Sequence, residues 1–133
     1  MSDEKPEAAA AGIIDVDITE LSETMASAEL NNILSKPTEY IGKRIKTKGL
    51  YYSDYYAETD KNYHFVIFTD NTACCSYDIE FIMKGEYKYP DDYPTNETPI
   101  EIVGVLDKYD EMGQTYHYIL VEELIETGKV AMR

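Results

Sequence analysis

The only two cysteines of the chain, Cys74 and Cys75, are adjacent in the stretch DNTACCSYDIEFI at 70–82. Thiolates bind soft metals and exchange disulfides, so the pair raises three readings: a metal site, a redox pair or part of a strand. Residues 73–83 alternate apolar and polar with a period of two, the pattern of a strand. Successive strand side chains point to opposite faces. That places Cys75, Tyr77, Ile79 and Phe81 on an apolar face and Cys74, Ser76, Asp78 and Glu80 on a polar one. Consecutive Cα atoms lie about 3.8 Å apart, whereas a disulfide prefers roughly 4.4–6.8 Å. The expectation is therefore two unbonded thiols, Cys75 in the core and Cys74 on the polar face. A metal held by Cys74, Asp78 and Glu80 is the alternative, although no CxxC or HxxxH spacing accompanies them. A thiol-redox role for Cys74 and Cys75 stays open beside it.

A second constellation is YYSDYY at 51–56. Tyr51, Tyr52, Tyr55 and Tyr56 are expected around a strand end and its loop, close in sequence to Lys43, Arg44, Lys46 and Lys48. Aromatic rings beside cations can stack bases or sugars, which makes the four tyrosines with Lys46 and Lys48 a candidate ligand site. A domain binding single-stranded nucleic acid is thus a further alternative. The overall charge opposes it. Twelve Lys and Arg stand against 26 Asp and Glu, a formal net charge of −14. Phosphate backbones are bound through cations. His64 and His117 fall on strand-like segments with no local nucleophile, so they read as structural residues. Asp91 and Asp92 read as solvated loop residues, and the NET triplet at 96–98 is a bare N-glycosylation pattern. No catalytic spacing and no cofactor signature emerges. The reading is a non-enzymatic protein without a cofactor.

The elements that would carry these residues fit one domain, as 133 residues allow. Residues 1–12 are polar, contain Pro and Ala, and lack periodicity, the signature of a flexible tether. A single domain is expected over 13–133. Leu30, Ile33 and Leu34 predict a helix over 26–35, with Ser27 as N-cap and Pro37 as the stop. Strands are expected over 44–52, 62–68, 73–83, 99–110 and 114–124, with a turn at 69–72 and a long loop at 84–98. A short helix or tail should follow the last strand. Gly49 and Gly104 sit inside two of the strands, where glycine marks a bulge or sharp bend. Five short strands so marked predict a mainly β fold, an OB-like Greek-key barrel with an N-terminal helix packed on it. The loop at 84–98 would replace the usual helix between the third and fourth strands. An SH3-like barrel or an open meander is the competing topology.

The segments NILSKPTEYIGKRIKTKGLYY, TACCSYDIEF, YPDDYP and IEIVGVLDKYDE resemble a group of uncharacterised OB-fold lipoproteins from Firmicutes. The resemblance spans about residues 13–125. It rests on Pro37, Tyr40, Gly42, Lys43, Gly49, Asp70, Cys74, Cys75, Glu80, Phe81 and Gly104. It implies an extracytoplasmic domain, lipid-anchored at the cell surface in a longer precursor, and brings no biochemical activity with it. The chain departs from that pattern in carrying no signal peptide or lipidated cysteine, which makes it cytoplasmic if Met1 is the native start. The leading expectation is an envelope-associated binding or interaction module. Its partner would be an unknown small ligand or envelope protein, with nucleic acid disfavoured and the membrane reached only through an anchor absent from this chain.

Overall fold

A computed structural model describes residues 13–69 and 75–127 of the chain. The expected tether at 1–12, most of the turn after Thr69, Asp70, Cys74 and the segment from 128 onward lie outside these residues. Strand β1 (Val16–Asp17) is short and runs parallel to the start of β2. A 3-10 turn (Ile18–Glu20) leads into helix α1 (Glu23–Ser35), and a second (Pro37–Glu39) follows it. The barrel strands are β2 (Arg44–Tyr56), β3 (Lys61–Thr69), β4 (Ser76–Met83), β5 (Pro99–Glu111) and β6 (Gln114–Glu126).

The strands order as β1-β2-β3-β4-β6-β5, and β5 pairs back onto β2 to close the barrel. The β4–β6 pairing is parallel and the other barrel pairings are antiparallel. This is an OB-like barrel. A closed ring with one parallel seam excludes an open meander.

Both interior glycines are where two strands press together. A Cβ on Gly49 would collide with the carbonyl oxygen of Ile67, and one on Gly104 with that of Leu120. At Gly104 the β5–β6 register also slips, leaving Glu122 as the extra residue on β6. Such a bulge lets a strand coil around a small barrel. The barrel interior is filled by Ile45, Tyr51, Val66, Phe81, Ile102, Leu106, Ile119 and Val121.

Helix α1 begins earlier than the sequence reading has it. Ser22, not Ser27, is the N-cap, its Oγ accepting from the Met25 N–H at 3.2 Å. The buried stripe is Ala26, Leu30 and Ile33, spaced i, i+4, i+7, while Leu34 is exposed. Ala26 extends the stripe one turn toward the N-terminus, and a cap at Ser27 would fall inside it. Pro37 opens the following 3-10 turn, so the α-helix ends before it as expected. No helix among the described residues is long and apolar enough to cross a membrane.

The loop from 84 to 98 folds over one opening of the barrel and is pinned there. Asn96 Oδ1 accepts from Ser53 N–H at 3.0 Å, and the Tyr51 carbonyl accepts from Glu97 N–H at 2.7 Å. Tyr93 from this loop stacks on His64 at 4.0 Å between ring centroids and 8° between planes.

Candidate ligand-binding cleft

The tyrosines of YYSDYY do not share one surface. Strand β2 continues to Tyr56, so the run alternates rather than clustering at a loop. Tyr51 is fully buried, and its hydroxyl sits 2.7 Å from His64 Nδ1. That ring belongs to the core and cannot stack a ligand at the surface. Tyr52 donates to Glu97 Oε2 at 3.0 Å, and Tyr55 donates to Asp60 Oδ1 at 2.6 Å. Tyr56 alone of the four lines a cleft. Lys46 and Lys48 stand on β2 opposite Val103 and Glu101 of β5, away from Tyr56 at the far end of the strand. Arg44 makes a two-pronged ion pair with Glu122, each contact 2.9 Å. The basic residues and the tyrosines therefore do not build one groove.

Cys75 precedes β4 and is half-buried rather than buried, whereas Ile79 and Phe81 of the same face are in the core. Asp78 is exposed, as its outward position requires. Glu80 shares that outward face but is half-buried, because a wall of aromatic rings rises around it. No group of three His, Cys, Asp or Glu among the described residues is placed to hold a metal. The trio proposed from sequence includes Cys74, which lies outside them.

The wall around Glu80 is set by strand register. On β3, Tyr63 and Phe65 point outward, alternating with buried His64 and Val66. Phe65 pairs with Glu80 across β3–β4, and Glu80 pairs with Tyr118 across the parallel β4–β6 seam. Tyr118 in turn faces Asp107, and Tyr116 faces Tyr109, across β5–β6. Paired residues project to the same side of a sheet. One outer face thus collects Tyr63, Phe65, Glu80, Tyr109, Tyr116 and Tyr118. The β5–β6 hairpin reverses at Met112 and Gly113, both with positive φ (52° and 82°), the requirement of the tightest hairpin turn. Its tip and the β2–β3 turn bank the face into a cleft of about 460 Å³. A neighbouring hollow of about 490 Å³ shares Tyr63, Glu80, Tyr109 and Glu111 with it. Such volumes suit a small ligand or a side chain of a larger one.

Two carboxylates meet in this cleft, in unlike states. Glu111 accepts from Lys61 Nζ at 2.8 Å and from the Tyr63 hydroxyl at 2.8 Å. These bonds, the lysine's first, hold its pKa below the usual carboxylate range. Glu80 accepts the Tyr109 hydroxyl on both oxygens, at 2.8 and 3.0 Å. Burial pushes its pKa up, against the Tyr109 hydrogen bond, and the nearby Glu111 charge adds to the rise. The Tyr109 hydroxyl is itself held strongly protonated by burial and by Glu80. The rings pack edge to face and tilted, Tyr56 on Tyr63 at 5.0 Å and Tyr109 on Tyr118 at 5.5 Å. The cleft therefore offers ring faces, carboxylate oxygens and a single cation already paired.

The face between the second and third barrel strands, flanked by the first and last hairpin turns, is where OB-folds bind ligands. In this chain those parts are β3, β4, the turn after Tyr56 and the turn after Glu111. Sequence reasoning reached Tyr56 and Glu80 and missed Tyr63, Phe65, Tyr109, Glu111, Tyr116 and Tyr118. The signal available was the alternation of Tyr109, Glu111, Tyr116 and Tyr118 about the EMG turn. No protein-family model matches the chain, and no curated protein matches it significantly.

Proposed function

We propose that the protein is a non-enzymatic binding module of the cell envelope, outside the cytoplasm, and that its ligand sits in the tyrosine-walled cleft on the outer face of β3 and β4. The observation that carries the reading is the cleft itself. Five aromatic side chains, those of Tyr56, Tyr63, Phe65, Tyr109 and Tyr116, border a space of about 460 Å³ without closing it. Aromatic surface left open to water costs free energy unless something covers it, since ring burial is a main source of binding energy. Glu80 and Glu111 at its centre argue against a phosphate backbone, for which OB clefts supply cations. The envelope placement is supported by the lipoprotein resemblance and by the polar N-terminal stretch.

A two-dimensional amide NMR screen of metabolite mixtures against the labelled protein tests the site. Shift changes should gather at Tyr63, Glu80, Tyr109, Glu111 and Tyr118. Changes confined to α1 or to the 84–98 loop would reject the cleft. Protease treatment of intact cells expressing the tagged protein from its own gene start tests the placement, with digestion expected and protection contradicting it.

A further inference from the structure

We infer that the cleft selects an organic cation, an alkylammonium or guanidinium group on a slender apolar stem, with Glu80 as its anchor. The inference rests on the cleft being the binding site and adds the chemistry of what it binds. Glu80 is half-buried among rings, takes a hydrogen bond from Tyr109 on both oxygens, and has no ion-pair partner among the described residues. The cation in the lining, Lys61, acts on Glu80 through space but is held by Glu111 at 2.8 Å, which leaves Glu80 without a direct ion pair. A carboxylate withdrawn from water without a counter-charge is costly, and a cation seated beside it offsets that cost. The rings beside Glu80 contribute in the same sense: Phe65 and Tyr118 are its cross-strand neighbours, and aromatic faces carry negative quadrupole density that attracts cations.

The hydrogen-bonding capacity of the two carboxylates points the same way. The hydroxyls of Tyr109 and Tyr63 and the Lys61 ammonium are already donating to the two carboxylates. Acceptor lone pairs remain on Glu80 and Glu111, since a carboxylate accepts about four hydrogen bonds, beside the hydroxyls of Tyr116 and Tyr118 at the edge of the cleft. A ligand made only of donors fits them: an ammonium has three and a guanidinium five, and neither accepts. The net charge of −14 further concentrates cations around the molecule. A free polyamine and a lysine or arginine side chain on a peptide present this same chemistry.

Calorimetry distinguishes the cases with four probes: spermidine, capped Gly-Gly-Lys-Gly-Gly, the same peptide with norleucine for lysine, and cellobiose. Binding of spermidine or of the lysine peptide, with no binding of the norleucine peptide, is expected. Glu80→Gln should weaken it at least tenfold, while Glu123→Gln, an exposed change on β6 outside the cleft, should leave it within twofold. A tighter lysine peptide than spermidine identifies a protein segment as the source, and the reverse identifies a free polyamine. Cellobiose binding that ignores Glu80→Gln would overturn the cation and keep the cleft. Cation binding equally weakened by Glu80→Gln and Glu123→Gln would mean diffuse attraction to an acidic surface and would also overturn it. No binding of either cation at 10 millimolar, roughly the weak limit for a specific site, would do the same.

Discussion

Replacing Gly104 by alanine adds one methyl group at the tightest strand crossing of the barrel. Built on the existing backbone, that carbon would collide with the Leu120 carbonyl oxygen and lie 2.7 Å from both the Leu120 carbonyl carbon and Ile119 Cγ2. The Ile119 methyl can rotate away at small cost, but the Leu120 carbonyl is part of the β5–β6 ladder, where Val105 pairs with Leu120 and Gly104 with Val121. Restoring an ordinary contact requires the strands to separate locally by several tenths of an ångström. Overpacking of this kind costs about 1–3 kcal/mol, and weakening one ladder hydrogen bond adds about 1 kcal/mol. The expected loss is about 2–4 kcal/mol, or a fall in Tm of roughly 10–20 °C for a domain of this size. Urea unfolding followed by far-ultraviolet circular dichroism measures it. Gly42→Ala is the comparison: Gly42 has φ of 89°, and an added Cβ would meet no atom of the described residues beyond its chain neighbours within 4 Å, so the change costs only backbone conformation, about 1 kcal/mol. A loss at Gly104 below about 0.5 kcal/mol would refute the close crossing.

Ser22→Ala removes the α1 N-cap and should cost about 1 kcal/mol, whereas Ser27→Ala should not, because the Ser27 hydroxyl is buried without a hydrogen-bond partner among the described residues; thermal melts of both variants check the order. Burial lowers His64 to about 4 from its usual 6.5. The unfolded chain therefore binds this proton more readily than the folded one. Its contribution to stability is complete above about pH 6.5 and is lost as pH falls toward 4, on the order of 2 kcal/mol by pH 4.5. Glu80 works in the opposite sense, since its raised pKa makes the folded state the better proton acceptor. Comparing urea unfolding of the native protein and His64→Gln at pH 7 and 4.5 isolates the histidine, and an unchanged difference between the two pH values would contradict its burial. Tyr51→Phe should destabilise by about 1–2 kcal/mol, because it takes the hydrogen-bond partner from a buried imidazole nitrogen; an unaltered unfolding midpoint would show that water satisfies His64 instead.

The barrel was legible in the sequence because its signals are local. Gly49 and Gly104 interrupt alternating runs, and each run keeps its inward face apolar. The helix start was less so: Ala26 is too small to announce itself in a hydrophobic stripe, and two serines compete for the cap. The cleft was hidden for a different reason. Tyr63, Tyr109, Tyr116 and Tyr118 each look like an ordinary outward strand residue, and only the register across β3, β4, β6 and β5 brings them to one face. The parallel β4–β6 seam joins residues such as Glu80 and Tyr118 that are far apart in the chain, and no spacing in the sequence encodes it. The dense YYSDYY run drew the reading instead, although strand alternation separates Tyr51, which enters the core, from Tyr52, which faces outward.

The central claim is that the tyrosine-walled cleft takes the ligand. The chain has 13 tyrosines and no tryptophan, so uniform incorporation of 3-fluorotyrosine gives a fluorine spectrum that reports on that residue type alone. Titration with spermidine should shift the signals of Tyr63, Tyr109 and Tyr118 saturably and leave those of Tyr40, Tyr51 and Tyr52 in place. The same titration of Glu80→Gln should move the cleft signals far less at equal concentration. Shifts centred on Tyr51 and Tyr52, or uniform small drifts across all the tyrosines, would contradict the account.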